Sequence, residues 1–175
     1  MLKHILFFTL IIFGNLSHAK THLCHQLGGE IKTLQANFAT HQGQINGFKR
    51  QFCVLHIDNG ILSIGLKTLE SKKPNLAASL VKTLSKLDEN SSLLSGPYSN
   101  PSHNVCKNLG GSFIGMLTFG SFSDEMGDSD ICVFGDGSMI SAWSLIYIAN
   151  GRQGYDIVKS NIPSPTLPLM LLENR

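Results

Sequence analysis

Apolar positions along this chain fall into short blocks with readable periods. Leu76, Leu80, Val81, Leu84 and Leu87 share one helical face behind Pro74, with Lys82, Lys86, Asp88 and Glu89 outside it. That spacing predicts an amphipathic helix. Val105 and Leu109 stand four apart after Asn100-Pro101, an N-cap followed by the residue best suited to a first helical position. Gly110-Gly111 ends that helix, because glycine accepts the left-handed cap conformation. Ser112–Phe122, rich in Phe, Ile, Leu and Thr, predicts a strand, and residues 123–130 a polar loop. Ile131–Phe134, the Gly135-Asp136-Gly137 turn and Ser138–Ile140 predict a hairpin. Ser141 caps a last helix, Ala142–Ala149, closed by Asn150-Gly151.

The first half of the chain repeats this plan in weaker form. Ile31–Phe38 predicts a strand and residues 41–47 a Gln/Gly/Asn loop. Phe52–His56 and Ile61–Ile64 predict a hairpin around Asp58-Asn59-Gly60. Cys24-x-x-x-Gly28-Gly29 returns as Cys106-x-x-x-Gly110-Gly111. Phe52-Cys53-Val54 returns as Ile131-Cys132-Val133, and a serine follows each turn aspartate, Ser63 and Ser141. That alignment sets Gly65 opposite Trp143. The expected fold is α+β: two small related disulfide-stapled modules, each a short helix, a strand, a β-hairpin and a short helix, joined by the amphipathic helix. Module 1 covers residues 20–70, the helical linker 71–99 and module 2 100–160, with a Pro-rich C-terminal tail at 161–175.

Residues 1–19 read differently. Lys3 and His4 precede the apolar run Ile5–Phe13, and Ser17-His18-Ala19 supplies small residues where a signal peptidase cuts. A signal peptide with cleavage after Ala19 is expected, and with it an exported protein, periplasmic or extracellular. Removing Lys3 from the 14 basic residues leaves 13 against 12 acidic, a formal charge of +1. That balance gives no basis for binding nucleic acid. All four cysteines, Cys24, Cys53, Cys106 and Cys132, follow the cleavage site, so disulfides are expected. The duplication favours pairing within each copy. Pairing between copies, which would lock the units into one domain, is the alternative.

Asn100-Pro101-Ser102-His103-Asn104-Val105-Cys106, Gly110-Gly111, Cys132-Val133-Phe134-Gly135-Asp136-Gly137-Ser138 and Trp143 together resemble a short bacterial domain of unknown function. That domain occurs in exported proteins and lipoproteins and is often labelled a haemolysin. The likeness covers residues 100 to about 150, and 22 to about 69 as a decayed copy. Gly135 replaces the family's proline, and Ile140 stands where many members carry another cysteine. Tyr147 stands near a frequent arginine. The resemblance implies an exported, cysteine-bridged domain and transfers no catalytic residue.

The remaining chemistry is sparse. There is no Gly-x-Ser-x-Gly elbow, phosphate loop, Cys-x-x-Cys or His-Glu-x-x-His. His22, Cys24 and His25 lack zinc-like spacing. Asp124, Glu125, Asp128 and Asp130 lack the Asp-x-Asp-x-Asp-Gly order of a calcium loop. No metal or cofactor is expected, and the histidines show no acid partner in the sequence. Met139–Ala149 is too short to span a bilayer, so stable membrane insertion is not expected. Candidate binding residues are Asp124, Glu125, Asp128 and Asp130 in the polar loop, with Trp143 and Tyr147. The loops at 41–47 and 123–130 are the expected contact surfaces. For Trp143 the favoured reading is a core residue packed over its module's cystine. The expected function is non-catalytic binding of a protein or cell-envelope component, an inhibitor of a hydrolase being one version. A hydrolase with a dispersed site and a membrane-active toxin are the rivals.

Overall fold

The computed structural model describes residues 21–57, 60–118 and 129–169. The expected signal peptide, Asp58-Asn59, and Asp124, Glu125 and Asp128 lie outside the described residues. The fold is α+β. In chain order it runs α1 (Leu23–Gln26), β1 (Glu30–Thr40), β2 (Gly43–Ile57), β3 (Gly60–Gly65), α2 (Leu66–Glu70) and α3 (Leu76–Thr83). There follow α4 (Pro101–Asn108), β4 (Ser112–Thr118), β5 (Ser129–Val133), β6 (Met139–Ser141), α5 (Ala142–Ala149) and α6 (Asp156–Asn161).

The strands close one antiparallel barrel in the order β1-β2-β3-β6-β5-β4. Two seams join the halves of the chain. Ile64 pairs with Ile140 between β3 and β6, and Leu34, Gln35 and Ala36 pair with Thr118, Leu117 and Met116 between β1 and β4. Alternation along each strand sends successive side chains to opposite faces. Leu34, Ala36, Phe52, Val54, Ile131 and Met139 form one cluster, inside the barrel. Cys53, Leu55, Leu62, Ile64, Cys132 and Ile140 face the helices and join a larger cluster containing both bridges.

Cys24 bonds to Cys53 and Cys106 to Cys132, with Cα–Cα separations of 5.5 and 5.6 Å. The Gly-Gly pairs do two jobs beside them. Gly28 and Gly110 have φ of +79° and +82°, the left-handed stop. Gly29 and Gly111 press on the cystines: a Cβ on Gly29 would lie 2.9 Å from Cys53 Sγ, and on Gly111 2.5 Å from Cys132 Sγ. Any side chain there displaces the bridge.

The predicted amphipathic segment is α3, and it packs onto the shared core through Ala77, Ala78, Leu80 and Val81. It ends at Thr83, yet Leu84 and Leu87 beyond it are also buried. Its N-terminus is capped by its own Asn75 and by two side chains of the β5–β6 turn. Asn75 Oδ1 accepts from Ala78 N–H, Asp136 Oδ2 from Leu76 N–H at 2.6 Å, and Ser138 Oγ from Ala77 N–H at 3.0 Å. The Asp-Gly-Ser turn is therefore a helix cap supplied from a distant strand pair. Burial pushes the Asp136 carboxyl up, but hydrogen bonds from the Ser138 hydroxyl and the Leu76 and Ser138 amides outweigh it and hold it below its ordinary 3.8. A lowered carboxyl stabilises the fold above its unfolded value, and that contribution is lost as pH falls through the folded value. Asp136→Asn should cost about 1 kcal/mol near neutrality, the worth of a cap. In melting curves taken down the pH scale, the gap from the parent should shrink below the ordinary carboxylate range.

Several boundaries differ from the sequence expectation. Residues 41–47 are not a loop: β2 starts at Gly43, and only His41 and Gln42 turn the chain. The ladder Asn37↔Asn46, Phe38↔Ile45, Ala39↔Gln44 and Thr40↔Gly43 holds this polar stretch as strand. Cross-strand pairing overrides the turn propensity of Gln, Gly and Asn there. The second polar loop is shorter too, since Ser129 and Asp130 begin β5. The alignment of Gly65 with Trp143 also shifts. Cys53 pairs with Ile64 and Cys132 with Ile140, so Gly65 corresponds to Ser141; both are N-caps. Ser63 lies inside β3 and has no capping role. The described part of the tail, to residue 169, packs on the fold: Ser164 is buried, its carbonyl accepts from Lys82 Nζ at 2.6 Å, and Leu167 N–H donates to Ser79 Oγ at 2.9 Å.

Candidate functional site

Two surface groups gather the side chains with recognition or proton-transfer chemistry. The first stands where α4 meets β5. Asn100 caps α4, its Oδ1 accepting from the Ser102 amide at 3.0 Å and the Ser102 hydroxyl at 2.8 Å. Pro101 takes the first helical position, which leaves His103 in the first turn facing the start of β5. His103 Nε2 lies 2.7 Å from Asp130 Oδ2, and Asn100 Nδ2 donates to the same oxygen at 3.2 Å. The His103 ring stacks on Phe113 with centroids 3.9 Å apart, and Tyr98, 38 % exposed, meets both rings edge-on. Asn104 fixes the preceding loop, donating to the Leu94 and Tyr98 carbonyls and accepting from Tyr98 N–H. The Asn-Pro-Ser-His-Asn run is thus cap, helix start, cap partner, acid partner and loop clamp.

An ionised carboxylate only accepts hydrogen bonds, so Nε2 is the donor of this pair. A His–Asp pair of this kind orients a base. The nucleophile for such a base would be water or a side chain. Ser102 Oγ is committed to Asn100, and every cysteine is bridged.

The second group lies on α5. Ala142, Leu145, Ile146 and Ile148 face the core, which leaves Trp143 and Tyr147, four apart, on the outer face. Trp143 is 36 % exposed and stacks on Tyr147 at 5.6 Å. This corrects the expectation that Trp143 is a core residue: helical phase points it outward. The Arg152 guanidinium sits 4.4 Å over the Tyr147 ring, and Tyr147 meets the fully buried Tyr155 edge-on. The result is an aromatic–arginine ladder, rooted in the core at Tyr155 and open at Trp143.

Of the expected binding residues, Asp130 belongs to the first group and Trp143 and Tyr147 to the second. Among the described residues, no hydrogen bond, ion pair or ring contact joins the two groups. Two histidines do have acid partners, contrary to the sequence reading: His103 with Asp130, and His22 with Glu70 at 3.0 Å. Neither pair is close in sequence. The one local signal for His103 was its place in the first turn after an Asn-Pro cap. Among the described residues, no three His, Cys, Asp or Glu side chains converge to hold a metal, and no helix is long and apolar enough to cross a membrane. Comparison of the chain with family models, curated proteins and solved structures finds no match.

Proposed function

We propose that this protein is an exported, non-catalytic binding module that recognises a protein or envelope component, and that the Trp143–Tyr147–Arg152 ladder is its contact surface. The observation that carries the reading is a large aromatic ring left open on a rigid support. Trp, Tyr and Arg are the residue types that dominate binding energy at interfaces. Here Trp143 stacks on Tyr147, and Tyr147 meets the buried Tyr155 edge-on, so the rings are pre-set and the ordering cost of association falls. Inhibition of a hydrolase is one form such binding takes.

The leader sequence and the buried cystines support export and cleavage after Ala19. The run helix, three strands, helix occurs twice, and the glycine pairs press on their bridges in the same way. We read these as a duplication of one disulfide-stapled module, related to the bacterial haemolysin-labelled domain, with both copies contributing to the single barrel. A dispersed hydrolase is the second reading, and the His103–Asp130 contact favours it.

The test is capture of partners from envelope and secreted extracts by oxidised protein starting at Lys20. Trp143→Ala should weaken capture about 30-fold, the factor for a 2 kcal/mol hot spot, with little change in melting temperature. Equal capture by parent and variant moves the contact surface elsewhere, towards Asp130 and the neighbouring Asp124 and Asp128. No capture by a folded protein sinks the binding reading. Turnover in a hydrolase screen that is lost in His103→Ala would establish the second.

A further inference from the structure

A third group lies at the N-terminal edge, away from both surfaces. Thr21 and His22 precede α1 and are exposed. The chain is pinned directly after them, because Leu23 N–H donates to Glu70 Oε1 at 2.8 Å and Gln26 Nε2 donates to the Thr21 carbonyl at 3.1 Å. Among the described residues, the amides of Thr21 and His22 make no hydrogen bond. A cavity of about 390 Å³ opens here, its lining including Thr21, His22, Gln26, Glu70, Lys72 and Pro163.

Cleavage after Ala19 makes Lys20 the first residue and histidine the third. We propose that this mature N-terminus, Lys20-Thr21-His22, is a Cu(II) site. The inference rests on the export reading above. Its ligands are the α-amine of Lys20, the deprotonated amides of Thr21 and His22, and Nδ1 of His22. Four nitrogens in sequence close three fused chelate rings in one plane, the tetragonal arrangement that Cu(II) prefers. The ammonium proton and both amide protons leave to solvent as the metal enters. Histidine must be third, because its Nδ1 closes the last ring with the amide of its own residue.

The described residues meet the requirements that fall on them; Lys20 lies outside the described residues. Neither amide nitrogen belongs to a ladder that metal binding would break. Nδ1, the nitrogen needed, lies on the Glu70 side, 3.0 Å from both carboxylate oxygens. That contact is exposed and therefore worth little, so a metal can displace it. Every cysteine is bridged, so no thiol competes for copper or reduces it. Zinc-type spacing at His22, Cys24 and His25 fails because it demands side-chain ligands; this site draws three of its four nitrogens from the main chain.

The experiment uses the full chain expressed with its own leader and recovered from the exported fraction. N-terminal sequencing and intact mass should give Lys20 as the first residue. Titration with Cu(II) alone, followed by visible absorption and electron paramagnetic resonance, should give a four-nitrogen square-planar signature saturating at one equivalent. His22→Ala should abolish that signature. A glycine inserted between Lys20 and Thr21 moves the histidine to fourth place. It should abolish the signature too and weaken binding by at least the roughly 10–100-fold that follows loss of a supporting group. Both variants should keep the melting temperature of the parent. A different first residue, no signature, or a signature surviving either variant overturns the proposal. No partner is present in this titration, so failed partner capture with copper binding intact counts against the binding reading alone.

Discussion

Replacing Cys106 and Cys132 together by alanine should lower the free energy of unfolding by about 3–4 kcal/mol, from the loop-closure entropy the bridge removes. The bridge spans 26 positions and both cysteines are fully buried. The Cys24–Cys53 bridge spans 29, so its removal should cost a similar amount. Both bridges lie in one apolar cluster between barrel and helices. Scanning calorimetry should therefore show a single transition that moves as a whole, by roughly 10 °C for either pair. Two transitions, of which only one moves, would mean that the halves melt independently despite sharing a sheet.

Tyr155→Ala should cost about 3–5 kcal/mol, the range for deleting a fully buried aromatic ring. Its ring supports Tyr147 and its hydroxyl donates to the Ile61 carbonyl at 3.4 Å. Gly60 leaves the hydroxyl its space: a Cβ there would lie 2.6 Å away. Tyr155→Phe keeps the ring and should cost only about 1 kcal/mol, the net worth of a hydrogen bond. Burial raises the phenol above its ordinary 10.0, partly opposed by the Arg152 cation and assisted by Tyr147. Its contribution is complete below the ordinary value and is lost as pH rises through the folded one. Alkaline melting curves should fall less steeply for Tyr155→Phe than for the parent. Equal slopes would place the alkaline loss on other groups.

The parts of this fold legible in the sequence are those written locally. Asn100-Pro101 starts α4, Gly110-Gly111 stops it, and Ser141 opens α5. The spacing of Leu76, Leu80 and Val81 places α3 against a core. Barrel closure has no local signal, because its seams pair Ile64 with Ile140 and Gln35 with Leu117 across the chain. The start of β2 was hidden for a related reason: Gln44, Ile45 and Asn46 are exposed, so pairing and not burial makes them strand. Trp143 shows residue type misleading where phase would not. The phase of Ala142, Leu145, Ile146 and Ile148 already turns position 143 outward. The His103–Asp130 contact needed the register of β5 against β4, where Asp130 pairs with Gly115.

The seams also set an order of events during synthesis. Each bridge lies within one half of the chain, so Cys24–Cys53 can form as soon as β2 has emerged. The first half alone leaves β1 and β3 with open edges until β4 and β6 arrive to cover them. Such edges are templates for aggregation. Pairings between distant parts of a chain also form late. A nascent chain stalled between residues 70 and 112 is therefore the species most in need of a chaperone. A truncation at that point should yield an oxidised but sticky fragment, not a small stable domain.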